Sequence, residues 1–370
     1  MSLRIATFNV ENLMNRFDFS GFRNQLLQDR ALSLFQIDNE ADYRHLERAR
    51  MISHTDDARQ LSALAIAAAR ADIICLQEVE NIEALRAFEY GYLFKMVGHG
   101  YREKYLAKGN DMRGIEVAIM FRTETAYGEP IEFVAMQSHA HVTFEELELY
   151  NDALAQVGEK PHDRIFRRDC LEVDLKVAGW PVTIYLVHFK SMGGARNGLP
   201  GRESTMPVRM AEAAAVRAII EERFGPKAAQ KRWAICGDLN DYRERIVVEG
   251  GIEGDWTFTP VAEDIRTSLD VLTEGGFCEN VAERLPPLER WTLYHTRGPQ
   301  ERHLCQLDYV LVSGGWAQKN ATRLPQIITR GQPWRTPIPP EQSPERWPRI
   351  GWDRPKASDH CPVVMELDVL

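Results

Sequence analysis

The sequence lacks the features that mark membrane, secreted and disulfide-stabilised proteins. No apolar run approaches the roughly 20 residues that a helix needs to cross a bilayer. The first residues show no basic stretch followed by an apolar block, the pattern of a signal peptide. The six cysteines are scattered without a CxxC pair, which argues against structural zinc and is typical of reduced cytosolic thiols. We therefore expect a cytoplasmic protein without a membrane segment.

Several signatures of catalysis and binding are also missing. Nothing in the chain matches a glycine-rich phosphate loop, a GxSxG nucleophile elbow or a zinc-binding histidine motif. The net charge of −9 argues against a surface that attracts nucleic acid over its whole area, but not against a local basic groove. The basic residues between Arg164 and Arg209 fit either such a groove or an ordinary solvated surface.

The composition is that of an ordinary globular chain. Its 370 residues are 44% hydrophobic and 27% charged, enough to bury a full core. Helical patterns cover Ala58–Arg70 and Pro207–Phe224, and no linker divides the chain, so we predict one α/β or α+β domain over residues 1–370. Apolar runs typical of strands buried on both faces lie at Ile5–Val10, Ile73–Leu76, Val117–Phe121, Thr183–Phe189, Trp233–Cys236, Leu307–Val312 and Pro362–Leu367.

Three stretches between the apolar runs are interpreted as insertions or long loops. Residues 14–57 are polar and basic, and residues 123–165 combine turns with an acidic helix expected near Phe144–Leu154. Residues 318–357 contain eight prolines, too many for regular structure. Because long loops on a rigid scaffold often build binding sites, substrate preference is expected to reside in 14–57 and 318–357.

Polar residues stand at the ends of the apolar runs or within them. Burying such groups is expensive, so each needs a partner, a metal ion or a catalytic task. A single aspartate at a strand end is most often a turn or a cap, and a single strand histidine is most often a satisfied core residue. Six such placements in one chain are hard to explain by turns alone. The residues concerned are Asn9 and Glu11, Glu78, His188, Asp238 and Asn240, Asp308, and Asp359 and His360.

These residue types suit the hydrolysis of a phosphodiester. The reaction requires charge neutralisation on the phosphate oxygens, a nucleophile made from water, and a proton for the leaving oxygen. Mg2+, or Mn2+ in its place, prefers the carboxylate and amide oxygens that Glu78, Asn9 and the aspartates supply. A histidine beside an aspartate has its tautomer fixed and its cation stabilised. The separate pair His139 and His141 is interpreted as a loop feature.

The motifs, taken in order, are FNVEN, LQEVE, GIEVAIMF, LVHFKS, GDLND, QLDYVLV and SDHCPV. This series resembles the endonuclease/exonuclease/phosphatase superfamily, which includes DNase I-like nucleases and abasic-site endonucleases. It runs from residue 5 to residue 366 and so covers nearly the whole chain. The resemblance implies a four-layer α/β sandwich, in which two mixed β-sheets pack face to face with helices outside.

The resemblance also implies a role for each matching residue. Glu78 corresponds to the metal-binding glutamate, Asn9 to the asparagine that organises the metal and phosphate, and Asp359 to an aspartate near the metal. Glu11 stands where abasic-site endonucleases carry aspartate, which leaves its metal role open. The remaining catalytic residues are implied to be Asp238, which orients water or a metal, Asn240, which contacts phosphate, the Asp308–His360 dyad, and His188 as general acid.

A positive lining for the substrate phosphate is expected from three further residues. Arg168 matches a phosphate-contacting arginine of DNase-like members. Lys190 and Arg209 join it by placement, since Lys190 leaves the His188 strand and Arg209 opens the following helical pattern. The alternative is that these are ordinary surface charges.

Three functions remain open on this sequence. The first is a nuclease, whose partner is nucleic acid. The second is a phosphomonoesterase, or a diesterase for a small soluble or lipid-derived phosphate, and the third is a binding protein without activity. The acidic net charge favours a small substrate, whereas the local arginines favour a polyanion. The oligomeric state is left open.

Overall fold

The computed structural model describes residues 1–14, 39–42, 56–98, 100–193, 199–251, 255–296 and 302–370. Most of the predicted insertion at 14–57 lies outside these described residues. Within the described part, none of the helices combines the length and the apolar character that crossing a bilayer requires.

The first of two six-stranded sheets joins the two ends of the chain. Its central strands β1 (Ser2–Leu13) and β2 (Ile73–Val79) run parallel, and its other neighbouring strands pair antiparallel. The strand order is β15 (Gln326–Ile327), β16 (Val363–Asp368), β1, β2, β4 (Glu116–Phe121) and β3 (Glu103–Leu106). Since β16 lies beside β1, the start and the end of the chain share one sheet.

The second six-stranded sheet is built from the middle of the chain. Strands β7 (Trp180–His188) and β8 (Trp233–Asp238) are its parallel pair. The strand order is β11 (Cys278–Asn280), β14 (Asp308–Ser313), β8, β7, β6 (Cys170–Val177) and β5 (Ile131–Ser138). A smaller antiparallel sheet has the order β10 (Thr257–Ala262), β9 (Glu244–Glu249), β13 (His303–Cys305) and β12 (Leu293–His295).

Six α-helices accompany these sheets in the described residues. They are α1 (Asp56–Ala69), α2 (Ile82–Phe88), α3 (Asp152–Gln156), α4 (Gly201–Phe224), α5 (Ser268–Thr273) and α6 (Gly314–Lys319). A π-helical segment, Glu89–Phe94, and a last turn, Lys95–Val97, extend α2. Short 3-10 helices lie at Gly225–Gln230, Glu274–Gly276, Val281–Arg284, Pro287–Glu289 and Pro340–Gln342.

Apolar side chains on the two faces of each sheet divide the protein into four layers. Leu3 and Ile5 of β1 pack against the second sheet, whereas Ala6 and Phe8 point the other way, toward α1. The outer face of the second sheet packs against the apolar stripe of α4. The order helix, sheet, sheet, helix confirms the predicted four-layer α/β sandwich.

Two local predictions differ from the structure. Pro207 lies inside α4, which begins at Gly201 and not at the proline. Side chains add hydrogen bonds in these first turns, where Thr205 donates to Gly201 O (2.8 Å) and Arg209 to Arg202 O (2.6 Å). Residues 123–165 contribute the edge strand β5, and their acidic stretch forms turns before the five-residue α3. The proline-rich residues 318–357 contain only the end of α6, β15 and one 3-10 helix, as the sequence predicts.

Candidate active site

Polar residues from both sheets meet at one edge of the sandwich. The first sheet supplies Asn9 of β1, Glu78 near the end of β2, and the residues just before β16. On the second sheet, Asp238 ends β8 and is in register with Asp308 at the start of β14. On its other side Asp238 is in register with His188 at the end of β7. The topology thus brings together residues that lie far apart in the sequence.

Asp238 lies at the centre of this group. Its Oδ2 accepts a hydrogen bond from Asn9 Nδ2 (3.1 Å), which links the two sheets, and its Oδ1 accepts one from the backbone N–H of Asn240 (2.8 Å). The same Oδ2 lies 3.6 Å from His188 Nε2 and 4.0 Å from His360 Nε2. Burial raises the pKa of Asp238 to about 7, an increase that cationic His360 opposes and Asp308 assists. A carboxylate with this pKa suits a proton acceptor near neutral pH.

The backbone at the edge is closely packed and strained. A Cβ atom on Gly237 would lie 1.9 Å from the carbonyl oxygen of Val187 on β7, so only glycine lets the two parallel strands approach this closely before Asp238. Glu11, Glu78 and Asn240 have φ values of 50°, 68° and 49°, a region that side-chain-bearing residues seldom adopt. Such strain concentrates at functional sites.

His360 and Asp308 form a buried dyad. His360 Nδ1 lies 2.7 Å from Asp308 Oδ2, and Asp308 has no solvent exposure. Burial alone would lower the pKa of His360, but the carboxylates of Asp308, Asp359 and Asp238 outweigh it and hold that pKa well above its usual value. His360 is therefore a cation, with Nε2 directed toward the space beside Asp238.

His188 has the opposite electrostatic character. Burial, followed by repulsion from Arg168 and Arg113, lowers the pKa of His188 well below its usual value. The ring is therefore neutral, which suits a hydrogen-bond donor better than an imidazolium acid. Its role as general acid remains a prediction.

Two carboxylates form the anionic part of the edge. Glu78 Oε2 accepts the backbone N–H of Asn12 (3.0 Å). Burial and then the charge of Asp359 raise the pKa of Glu78, so the two carboxylates lie close enough to repel each other. A hard divalent cation would remove this repulsion, and carboxylate oxygens are the donors that it prefers. The residues therefore fit Mg2+ or Mn2+.

The dyad also belongs to a second group of potential metal ligands. Ligand atoms of Asp238, Asp308 and His360 lie within 4.8 Å of one another. A metal ion on His360 Nδ1 would have to displace the 2.7 Å contact with Asp308. The pair of Glu78 and Asp359 is a candidate cation site that requires no such displacement.

Comparison with known families agrees with this geometry. The sequence profile described as Endonuclease/Exonuclease/phosphatase family matches residues 6–360. The chain belongs to this family. The family assignment indicates that the protein is a phosphoester hydrolase. No curated protein matches the chain significantly.

Several solved structures are distantly similar to this chain. Truncated TDP2 from Caenorhabditis elegans is 12% identical, with 99% of this chain and 97% of that chain covered and a TM-score of 0.47. TDP2 from D. rerio, complexed with single strand DNA product, is 12% identical, with 99% of each chain covered and a TM-score of 0.48. The human Nocturnin catalytic domain with bound sulfate anion is 12% identical, with 99% and 94% covered and a TM-score of 0.49.

Glu11 lies beside Asp359 and is paired with two cationic side chains. Its carboxylate pairs with Arg354 Nη2 (2.5 Å) and Lys356 Nζ (3.1 Å), and it accepts the backbone N–H of Asp359 (3.0 Å). Two cations thus neutralise Glu11 already, and its function is to position Asp359. The suggested metal role of Glu11 is not supported, because these contacts occupy both of its oxygens. No sequence pattern indicated the part that Arg354 and Lys356 play.

The positive lining is only partly assembled as predicted. Arg168 Nη1 donates to Phe189 O (2.8 Å), and its Nε pairs with Asp111 Oδ2 (2.9 Å). Lys190 follows β7 at the same edge, where burial and then Arg168 lower its pKa. The structure thus brings Arg168 and Lys190 to the site.

The prediction that Arg209 belongs to this lining is wrong. Its side chain is completely buried, and its guanidinium donates to Arg202 O (2.6 Å), Lys190 O (3.2 Å) and Thr205 Oγ1 (2.6 Å). Arg209 therefore holds the backbone that carries Lys190 and does not itself reach a substrate.

Two further residues at this edge were not predicted. Arg113 lies just before β4 and pairs with Asp111 (2.9 Å). Its charge partly offsets the rise in the pKa of Glu78 that burial causes, and adds to the lowering of the pKa of His188 by burial. Glu212 of α4 accepts the backbone N–H groups of Arg167 (3.0 Å) and Lys190 (2.7 Å). Glu212 was detectable in principle, since it is a charged residue on the apolar stripe of a helix.

Proposed function

We propose that the protein is a divalent-metal-dependent phosphodiesterase that acts as a nuclease. One observation supports this most directly. The cationic His360 lies with Nε2 4.0 Å from Asp238 and 3.9 Å from Asp359, and the charge of Asp359 in turn raises the pKa of the buried Glu78, after burial itself. A phosphate beside these residues would meet positive charge, a base and a cation site together, which its hydrolysis requires.

In this proposal Glu78 and Asp359 hold the metal ion, which when bound neutralises phosphate charge and lowers the pKa of water. Asp238 accepts the proton of the attacking water, oriented by its hydrogen bonds from Asn9 and from the Asn240 backbone. His360 binds a phosphate oxygen through Nε2, because Asp308 occupies Nδ1.

Arg168 and Lys190 balance the remaining phosphate charge. Burial, and then the charge of Arg168, keeps the nearby His188 ring neutral and suited to donating a hydrogen bond. His188 then assists the leaving oxygen in the proposed reaction.

A substrate panel tests the proposed function. The protein is incubated with Mg2+ or Mn2+ and, separately, plasmid DNA, RNA, bis-p-nitrophenyl phosphate and p-nitrophenyl phosphate. We expect hydrolysis of the diester and of nucleic acid, loss of activity in EDTA, and recovery when metal is added in excess. Cleavage of nucleic acid should fall steeply with salt, because bound phosphates release counterions.

The net charge of −9 supports one second candidate, a phosphomonoesterase for a small substrate. That candidate replaces the nuclease if p-nitrophenyl phosphate is hydrolysed faster than its bis ester and nucleic acid is left intact. Diester hydrolysis that persists in EDTA would contradict both metal-dependent candidates.

A further inference from the structure

A cleft of about 400 Å3 lies between the small sheet and the proline-rich segment. Its walls carry three tryptophans, Trp256, Trp334 and Trp352, together with Tyr294. Three arginines, Arg302, Arg335 and Arg346, complete the charged part of the lining. We call this site the tryptophan–arginine cleft.

Two tryptophan rings of the cleft are exposed, and contacts hold one of them, Trp334, in place. Trp334 and Trp352 are 54% and 56% exposed. Trp334 Nε1 donates to Ile350 O (3.1 Å), and the Arg346 guanidinium lies 4.6 Å from the centre of its ring. A fixed aromatic surface left in water is available for stacking by a flat partner.

The charge in the cleft is positive. Its lining includes no aspartate or glutamate among the described residues. Arg346 donates to Gln332 O (3.0 Å) and Thr336 O (2.8 Å), and Arg302 donates to Gly250 O (2.7 Å). These bonds to carbonyls orient the guanidinium groups without neutralising them. Arg335 differs, since it pairs with Asp353.

Two contacts link residues next to the cleft lining to the segment that carries His360. Gln332, two residues before Trp334, donates from Nε2 to His360 O (3.0 Å). Leu293, the residue before Tyr294, forms a β-bridge with His360. A ligand in the cleft would therefore lie beside the segment that carries the catalytic histidine.

We infer that the tryptophan–arginine cleft binds bases of a single-stranded nucleic acid next to the phosphodiester that is cleaved. This inference rests on the proposed function and narrows its substrate class. Aromatic rings accept bases of any identity by stacking, while arginines hold the adjoining phosphates. The bases of a duplex present only their edges, so an unpaired strand fits stacking surfaces better.

Binding to three oligonucleotides of equal length tests the inference. They are a single-stranded deoxyoligonucleotide, an abasic strand with the same phosphates, and a duplex, each measured by fluorescence anisotropy in EDTA so that no cleavage occurs. We expect the wild type to bind the single strand at least about tenfold more tightly than the abasic strand. The ratio of the two affinities isolates the contribution of the bases.

The double variant Trp334→Leu/Trp352→Leu should reduce this ratio to near one, because leucine keeps apolar bulk but removes the stacking face. A loss of folded protein would weaken the apparent binding of both oligonucleotides equally, so the ratio of the two affinities remains informative. The single variant Trp334→Leu is milder and should give an intermediate ratio. Trp180→Leu is the matched control. Trp180 is also exposed beneath an arginine, Arg232 at 4.7 Å, but begins β7 at the end away from His188.

Equal affinity for the single strand, abasic strand and duplex would overturn the inference, because the cleft would then recognise phosphates alone. An unchanged ratio in the double variant would also overturn it. Hydrolysis of bis-p-nitrophenyl phosphate by the wild type is measured in parallel. If that hydrolysis fails, the proposed function is contradicted. If hydrolysis occurs without base-dependent binding, only the inference about the tryptophan–arginine cleft is contradicted.

Discussion

The buried Asp308–His360 contact allows a quantitative prediction about catalysis. Asp308→Asn keeps the shape of the side chain but removes the negative charge that maintains His360 as a cation. A hydrogen bond to a charged group contributes about 1.5–3 kcal/mol, and Asp308 has no solvent exposure that would screen it. We therefore expect kcat for bis-p-nitrophenyl phosphate to fall about 10- to 150-fold.

A double-mutant cycle separates this coupling from general damage. If Asp308 acts through His360, Asp308→Asn should have little further effect once His360→Ala has removed the ring. Steady-state kcat is measured for the wild type, the two single variants and the double variant. His139→Ala is the matched control, since His139 contacts Glu172 at 3.1 Å in a second buried histidine–carboxylate pair outside the dyad. Free-energy losses that add fully would refute the dyad.

Three other predictions concern the proposed cation site, the structural role of Arg209 and the buried carboxyl group of Asp169. Glu78→Gln should lower metal-dependent activity at least about 100-fold at low Mg2+, because it removes an anionic ligand, while the exposed control Glu83→Gln keeps wild-type activity. Arg209→Met should lower the unfolding free energy by about 3 kcal/mol in urea titrations, and any rise in the substrate KM should accompany this loss, because Arg209 holds the backbone of Lys190; a raised KM at full stability would contradict its structural role. Burial raises the pKa of Asp169 to about 6 from 3.8, so its stabilising protonated form is lost as pH rises between these values. Asp169→Asn should therefore be more stable than wild type by about 3 kcal/mol at pH 8, and by much less at pH 4; equal pH profiles in urea would contradict this.

Much of the fold was predictable because buried strands have a strong local signal. The apolar runs around Asn9, Glu78 and Asp238 fall in β1, β2 and β8 of the structure. Polar residues at the ends of such runs are expensive to bury, which made them candidates before their partners were known. The confirmed four-layer sandwich then explains how strands that are distant in sequence share one edge.

The contacts that define individual roles were not predictable in the same way. Glu11 pairs with Lys356 across 345 positions of sequence, and no local pattern anticipates that neutralisation. Arg209 looks like a surface residue of a helix until the backbone of Lys190 is packed over it. Residues 318–357 were interpreted as irregular because of their prolines, and no local pattern indicated that Trp334 and Trp352 share one cleft.

The division of the site between two sheets affects how activity would emerge during refolding. Asn9 bonds Asp238, and His360 bonds Asp308, each pair joining one sheet to the other. Neither sheet alone contains both members of either pair. An intermediate with native secondary structure but undocked sheets would therefore be inactive. Regain of activity would then follow the near-ultraviolet circular dichroism of packed aromatic residues, not the earlier far-ultraviolet signal of strands and helices. The enzyme would act as its own reporter of tertiary assembly.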